Sequence, residues 1–435
     1  MTNKPLKFCM VSTFYPPYNF GGDGMHIYRL TNELAKRGHS IDVFHSEDAF
    51  LLLNKKPPNG EFPNHPNVSV HGLKSSAGFL SPLLTQQTGV PILKNELKKA
   101  LEENDYDVIH YNNMSLMGIT ALSYGSSDAV KLYTTHEHWL ICPMHVLWKF
   151  NREVCTKQSC LRCQLKGKRP PQLWRYTGLM KKMLKNIDCF LSPSRFTLHK
   201  HLDAGLDIPI KQMPYFLPTP PEEAENTETE EKSNRPYFLF VGRLEEIKGV
   251  QNIIPVFKEK SEYDLLIAGD GDYKKTLEEQ AAKSPNIKFL GRVDQKRLGS
   301  LYKSAVAVIV PSICYETFGI IIIEAFSRKT PVIVNNLGAL PEVVEDSGGG
   351  FIYENQTELI EAMAEFATNP QLRKELGEKG YAAFLKYWNE EAHLERYLNT
   401  VETLRAKSRE KVQKELSNLS PPAVSVEYSS NKSFK

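Results

Sequence analysis

The chain has 435 residues, of which 41% are hydrophobic and 24% are charged, and its formal net charge is +3. This composition is typical of a soluble globular protein, and the length predicts two domains rather than a single core. The small net charge argues against nucleic acid as a partner, and no apolar stretch reaches the roughly 20 residues that are needed to cross a bilayer.

Short β-rich runs alternate with helical patterns through the first half of the chain. The predicted strands are residues 7–13, 40–46, 107–113, 130–136 and 189–194. Such alternation is typical of an α/β fold, in which a parallel sheet is covered by helices. We therefore predict a Rossmann-like, doubly wound domain over residues 1–217, with a cysteine-containing insertion at about 139–170.

The second half of the chain repeats this pattern after a change in composition. Residues 218–236 are acidic and rich in proline, which predicts a linker. A second doubly wound domain is predicted at 237–385, a long helix at 386–416 and a disordered polar tail at 417–435. Two such domains that face each other form a cleft, and ligands of doubly wound sheets bind at the carboxyl ends of the strands.

A glycine-rich loop follows the first predicted strand. Gly21 and Gly22 open a helical pattern, so backbone amides there could contact an anion or a substrate hydroxyl. A dinucleotide fingerprint would need a further glycine where Ile27 stands, and we therefore do not expect a NAD site. A tight turn without a ligand is the alternative interpretation of the loop.

Two cations follow the first predicted strand of the second domain, in the stretch FVGRLEEIKG. Gly242 permits close approach of the backbone, Arg243 offers a planar fork for phosphate oxygens, and Lys248 adds a compact charge. Together they could neutralise a diphosphate without a divalent metal. Solvated surface charge remains the alternative when these residues are considered alone.

Two carboxylates flank an apolar run in the stretch YETFGIIIIEAF. Glu316 is predicted in a loop after a strand, and Glu324 closes the apolar run. One carboxylate could bind a sugar hydroxyl and the other a ribose hydroxyl, while amides at Gly319 and its neighbours contact phosphate. Two unrelated surface acids would not explain the apolar run between them.

These motifs together resemble the retaining glycosyltransferases of the GT-B fold, in particular glycosyltransferase family four. The resemblance covers nearly the whole chain except the linker and the tail. It implies that Arg243 and Lys248 bind the diphosphate of a sugar nucleotide, Glu324 its ribose and Glu316 its sugar. It also implies that the long C-terminal helix crosses back to the first domain. The donor site that the resemblance implies consists of Gly21, Gly22, Gly242, Arg243, Lys248, Val293, Glu316, Phe318, Gly319, Ile320 and Glu324.

The resemblance implies a reaction as well as a site. His136, which ends a predicted strand, would contact the donor sugar or the reacting centre, and with Glu316, Arg243 and Lys248 it forms the predicted catalytic set. The family's usual His-Asp pair is His136–Glu137 here. A hexosyl group would move from UDP- or GDP-hexose to a glycan, a lipid-linked sugar or a small molecule, with retention of configuration and without a catalytic metal. A sugar-nucleotide epimerase of the same fold and a non-catalytic nucleotide-sugar-binding protein are the alternatives.

Two further features follow His136. Cys142, Cys155, Cys160 and Cys163 fit a structural zinc site, a reduced cluster or a redox pair, and the spacing does not decide among the three. Residues 166–185 carry only basic charges together with aromatic and apolar residues, which is compatible with an anionic membrane surface or with a helix packed on the domain. The N-terminus lacks the pattern of a secretory leader. We therefore expect a cytoplasmic protein, peripheral at the inner face of the membrane if residues 166–185 bind lipid.

Overall fold

The computed structural model describes residues 4–54, 58, 60–92, 94–220 and 235–419. The predicted linker at 218–236 and the predicted tail at 417–435 lie largely outside these residues. Within them the chain forms two parallel sheets, each covered by helices, which confirms the predicted fold class.

The first sheet has seven strands in the order β3-β2-β1-β4-β5-β8-β9, and every neighbouring pair is parallel. Its strands are β1 (Lys7–Val11), β2 (Ser40–Ser46), β3 (Val68–Leu73), β4 (Val108–Tyr111), β5 (Val130–Thr134), β8 (Cys189–Ser192) and β9 (Ile210–Gln212). Its helices are α1 (Gly22–Lys36), α2 (Glu47–Leu53), α3 (Leu80–Thr88), α4 (Asn95–Glu103), α6 (Leu179–Leu184) and α7 (Arg195–Asp203). Central strands such as β4 and β5 are buried along their whole length, as expected for a sheet covered on both faces.

The cysteine-rich segment forms a small substructure between β5 and β8. An antiparallel pair, β6 (Trp148–Lys149) and β7 (Glu153–Val154), is followed by α5 (Cys160–Lys166). The backbone before and within the hairpin is left-handed at four residues that are not glycine, namely His145, Leu147, Phe150 and Asn151. Tertiary contacts therefore fix the conformation of this segment, since such residues rarely adopt positive φ on their own.

The second sheet has six parallel strands in the order β12-β11-β10-β13-β14-β15. Its strands are β10 (Tyr237–Val241), β11 (Asp264–Ala268), β12 (Ile287–Gly291), β13 (Val308–Val310), β14 (Val332–Asn335) and β15 (Gly350–Tyr353). Its helices are α8 (Val250–Glu259), α9 (Lys274–Gln280), α10 (Gln295–Ser304), α11 (Ile320–Phe326), α12 (Leu340–Ser347), α13 (Gln356–Thr368) and α14 (Pro370–Ala383).

The chain leaves the second sheet through a π-helical turn, Phe384–Trp388, and continues as α15 (Glu390–Leu419). Trp388 stacks on Phe326 in the core of the second sheet, whereas Tyr397 packs in the core of the first sheet. The Tyr397 hydroxyl also lies 3.0 Å from Nδ1 of His110 on β4. The final helix thus packs on the first sheet after a turn that is anchored in the second.

No helix in the described part of the chain is long and apolar enough to cross a membrane.

Candidate active site

A cleft of about 380 Å³ opens between the carboxyl edges of the two sheets. The first sheet contributes the glycine loop, residues 136–138, the neighbouring His145 and Val146, and Tyr215. The second sheet contributes the loops after β10 and β13 and the first residues of α11. The predicted site residues in its lining are Gly21, Gly22, His136, Gly242, Arg243, Lys248, Glu316, Gly319 and Ile320.

Three predicted donor-site residues lie outside this lining. Val293 packs against the core of the second sheet, and Phe318 is buried with its ring edge-on to Tyr215. Glu324 lies within α11, where Oε2 accepts a hydrogen bond of 2.8 Å from the Tyr302 hydroxyl. Burial raises the pKa of Glu324, although the charge of Arg29 on α1 and the bond from Tyr302 partly oppose the rise.

The loop after β10 positions the two predicted cations. Gly242 has φ of 156°, and a Cβ on the neighbouring Gly269 would lie 1.8 Å from the Gly242 carbonyl oxygen, so the two loops pack backbone to backbone. The Arg243 side chain is 58% exposed and pairs with Glu245 at 2.8 Å. Its guanidinium therefore remains accessible from the cleft.

Lys248 is held more firmly, at the end of the 3-10 turn Glu246–Lys248. Its Nζ donates a hydrogen bond of 2.7 Å to Oε1 of Glu316, and the two side chains are only about one-fifth exposed. The next residue, Gly249, has φ of 76°, and a Cβ there would lie 1.9 Å from the Pro311 carbonyl oxygen. Only glycine fits at this position, which fixes the direction in which the chain enters α8.

Glu316 lies in the loop between β13 and α11. Its Oε1 accepts hydrogen bonds from Lys248 and from the Ser312 hydroxyl, both at 2.7 Å. Burial opposes ionisation of this carboxyl, but the charge of Lys248 and the two hydrogen bonds outweigh it, so the pKa of Glu316 lies below its ordinary value. Glu316 is therefore a carboxylate at neutral pH, and the cleft already contains one compensated pair of charges.

His136 follows β5 and is buried, and both of its ring nitrogens have protein partners. Nε2 lies 2.9 Å from Oδ1 of Asn112, and Nδ1 lies 2.7 Å from the Tyr215 hydroxyl. Because the Asn112 amide nitrogen donates to the carbonyl of His110, its oxygen faces His136, and Nε2 of His136 must carry the proton. Burial lowers the pKa of His136 to about 3, so the ring is neutral. In this arrangement no ring nitrogen of His136 is available to a substrate.

The four cysteines of the insertion surround one small cavity together with neighbours such as Trp148 and Lys149. All four are free thiols, and burial raises the pKa of Cys142, Cys155 and Cys160. Over the described ranges, no group of three or more histidine, cysteine or acidic side chains is arranged to hold a metal ion. Zinc at this cluster therefore stays a prediction.

Sequence reasoning missed several groups that shape the cleft. Ser312 and Tyr215 hold Glu316 and His136 in place, and Glu137 and His145 add a further carboxylate and a further imidazole to the lining. The amide of His145 donates a hydrogen bond to the carbonyl of Cys142. The spacing of Glu137 and His145 in the sequence does not predict that their side chains pair.

Two facing, doubly wound sheets with cations and a carboxylate at the cleft define a protein of the GT-B class. Residues 221–383 match the family model of glycosyl transferases group 1, and residues 20–214 match that of glycosyltransferase family 4. The chain belongs to this glycosyltransferase family.

Known proteins support the same assignment. An uncharacterized glycosyltransferase of Methanocaldococcus jannaschii is 26% identical over 381 residues, which is 82% of this chain and 87% of that protein. The structure of sucrose-phosphate synthase from Thermosynechococcus elongatus has a TM-score of 0.70 at 19% identity and covers 92% of this chain and 100% of its own. Anabaena HepE in complex with UDP has a TM-score of 0.61 at 18% identity and covers 95% of this chain and 100% of its own. At these identities the two structures show a shared fold.

Proposed function

We propose that this glycosyltransferase moves a hexosyl group from a UDP- or GDP-sugar to an acceptor hydroxyl, with retention of configuration and without a catalytic metal. The observation that carries the proposal is the convergence of Arg243, Lys248 and Glu316 on one cleft. The acceptor is a glycan, a lipid-linked sugar or a small molecule.

The diphosphate lies between Arg243 and Lys248. Lys248 has three N–H donors and gives one of them to Glu316, which leaves donors for phosphate oxygens. Across the cleft, α1 begins at Gly22 without a side-chain cap, so its first amides are available to the same anion. These groups stabilise the negative charge that develops on the leaving diphosphate, which is electrostatic catalysis.

The hexosyl group lies beside Glu316, whose carboxylate accepts hydrogen bonds from sugar hydroxyls. The acceptor hydroxyl approaches on the face from which the diphosphate departs, and an oxygen of the diphosphate takes its proton. The new glycosidic bond forms as the bond to the diphosphate breaks, and configuration is retained. His136 acts here through its position at the first-sheet wall, where Asn112 and Tyr215 hold its ring.

Thermal denaturation tests the donor site directly. We expect one of UDP, GDP or ADP, or its hexose conjugate, to stabilise the protein by about 2.7 kcal/mol at a hundred times its dissociation constant. Arg243→Ala should remove this stabilisation and leave the unliganded protein unchanged, since Arg243 is more than half exposed. Arg409→Ala, which alters an exposed arginine on α15, is the matched control. If no nucleotide stabilises the wild-type protein, the proposed donor site is wrong.

Product analysis separates the transferase from its rivals. A transferase releases free nucleoside diphosphate when acceptor is added, and NMR of the product gives the anomeric configuration. An epimerase converts the donor sugar without releasing nucleotide, and a binding protein does neither. Activity that persists in EDTA supports the metal-independent reaction, and activity that EDTA abolishes contradicts it.

We also propose that the first domain contacts an anionic membrane surface. In residues 166–185, Met180 and Met183 are buried in the core, but Leu173 and Tyr176 are 66% and 63% exposed. Their turn packs against α3, and Phe79 just before this helix and Leu80 and Leu84 within it are also about half exposed. Exposed lysines at 181, 182 and 185 flank this apolar surface, and such a combination suits anionic lipid.

Vesicle sedimentation tests this contact. We expect binding to phosphatidylglycerol-containing vesicles, weakened by salt and by the double substitution Leu173→Ser/Tyr176→Ser, and little binding to phosphatidylcholine alone. Equal sedimentation of the wild-type protein and the double variant would contradict the proposal.

A further inference from the structure

The cysteine-rich insertion begins with a tight loop that returns His145 to the cleft. The amide of Cys142 donates to the carbonyl of His138 at 2.7 Å, and the amide of His145 donates to the carbonyl of Cys142 at 2.9 Å. The amide of His138 then donates to the carbonyl of His145 at 2.9 Å, which closes the loop. His145 has φ of 73°, so these bonds hold it in a conformation that histidine rarely adopts. The loop therefore fixes where the His145 ring lies.

Glu137 fixes the orientation of this ring. Its Oε2 lies 2.8 Å from Nδ1 of His145, and both residues are partly buried. A carboxylate only accepts hydrogen bonds, so Nδ1 carries a proton, and whenever the ring is neutral its lone pair is on Nε2. Neither Nε2 of His145 nor Oε1 of Glu137 has a hydrogen-bond partner among the described residues. The pair thus leaves two buried acceptor atoms unpaired within residues that line the cleft, which is unfavourable unless a ligand or water satisfies them.

The position of the pair indicates which ligand group it meets. Glu137 and His145 line the same cleft as Glu316. The Thr317 hydroxyl, next to Glu316, donates a bond of 3.1 Å to the carbonyl of His136, next to Glu137. The two loops are therefore in direct contact, and a hexosyl group bound by Glu316, as proposed above, would lie close to both.

We propose that Glu137 and His145 form a second binding site for the donor sugar, in which Nε2 of His145 accepts a hydrogen bond from a sugar hydroxyl. The inference rests on the proposed function, because it requires a nucleotide sugar in the cleft. His145 contacts the sugar, and Glu137 is a positioning residue that keeps the lone pair on Nε2. The ring of His136 does not serve this purpose, since both of its nitrogens are bonded within the protein.

Calorimetric titration of the full chain tests the proposal without knowledge of the acceptor. Each variant is titrated with UDP and UDP-glucose, GDP and GDP-mannose, and ADP and ADP-glucose, and the ratio of the two dissociation constants in each pair isolates the contribution of the sugar. His145→Gly removes the ring and relieves the left-handed backbone, and His145→Gln restores an acceptor at a similar distance from the backbone. Glu137→Gln tests the positioning role, and His199→Ala alters an exposed histidine on α7 as the matched control.

We expect His145→Gly and Glu137→Gln to bind the nucleotide as the wild type does and to bind the conjugate about five- to tenfold more weakly. His145→Gln should recover part of this loss, and His199→Ala should change neither constant. Unchanged binding of the conjugate, or equal weakening of nucleotide and conjugate, would overturn the inference, as would a wild-type protein for which the sugar adds no affinity. If the wild type binds none of the six compounds, the proposed function itself fails, and this outcome is distinct from the others.

Discussion

The pair formed by Lys248 and Glu316 gives the sharpest prediction, because it links the stability of the cleft to its chemistry. Lys248→Ala removes the cation and leaves Glu316 with Ser312 as its remaining partner at Oε1. The carboxylate then keeps its cost of burial without the charge that compensates it. The pKa of Glu316 should rise in this variant, because burial raises it and the charge of Lys248, which lowers it in the wild-type protein, is absent.

The exposure of the pair sets the size of the effect. Breaking a fully buried ion pair costs about 3–5 kcal/mol, whereas an exposed pair contributes about 0–1 kcal/mol. Lys248 and Glu316 are 21% and 19% exposed, and Ser312 still donates to the carboxylate. We therefore expect Lys248→Ala to lower the free energy of unfolding by about 1.5–3 kcal/mol. In the double variant Lys248→Ala/Glu316→Ala, the loss should be smaller than the sum of the two single losses by about 1–2 kcal/mol.

Urea denaturation of the wild-type protein, the two single variants and the double variant gives the coupling energy of the pair by a double-mutant cycle. The same cycle on Lys379 and Glu375, which pair at 2.8 Å but are each about half exposed, is the control. It should give a coupling energy of only about 0.3–0.5 kcal/mol. If the effects of Lys248→Ala and Glu316→Ala add to within about 0.5 kcal/mol, the reasoning from burial is wrong.

Two further predictions concern the backbone and pH. Gly249→Ala should destabilise the fold by about 2–4 kcal/mol, because a Cβ there meets the Pro311 carbonyl oxygen. The control is Gly178→Ala, which has nearly the same φ but open space around the Cβ and should cost about 1–2 kcal/mol. Equal losses of stability in urea denaturation would contradict the steric argument. The buried residues His110, His136 and His393 have pKa values lowered by burial from 6.5 to about 3, so the unfolded chain takes up protons below pH 6.5 that the folded protein does not. The free energy of unfolding should thus fall with pH from about 6.5 downward, by about 1.4 kcal/mol per pH unit for each histidine, and His110→Gln should make this dependence less steep. Stability that stays level between pH 7 and 5 in urea titrations would count against these shifts.

The sequence predicted the parts of the fold that local patterns determine. The runs at β1, β2, β4, β5 and β8 were found because strands that are largely buried are rich in apolar residues. The edge strand β3 was missed because four of its six residues are exposed, so that little in its sequence separates it from a loop. β9 and β15 are also short strands at sheet edges.

The sequence likewise predicted some residues of the candidate site but not the contacts that position them. Arg243, Lys248 and Glu316 were predicted together, and the structure brings them to one cleft. The partners of His136 lie 24 and 79 residues away in the chain, so its two hydrogen bonds depend on the tertiary fold and no spacing rule predicts them. Glu324 lies within α11 and accepts a hydrogen bond from Tyr302, which its position in the sequence did not predict, and its contact with the ribose stays a prediction.

The contacts between the two sheets indicate how donor binding acts on the whole molecule. Arg195 on α7 pairs with Asp346 at 2.9 Å, and the carboxylate of Glu342 accepts hydrogen bonds from the first amides of α7. The bond from Thr317 to the loop of His136 and the aromatic contacts of Phe196 with Tyr315 and of Tyr215 with Phe318 also join the two sheets. Domains of one chain commonly move relative to each other unless their interface is large and hydrophobic. A donor that bound Arg243 on one wall and the loop of His145 on the other, as we propose, would gain its full set of contacts only when the cleft is closed. Its binding free energy would then favour a closed state, in which water is excluded and transfer to an acceptor is favoured over hydrolysis.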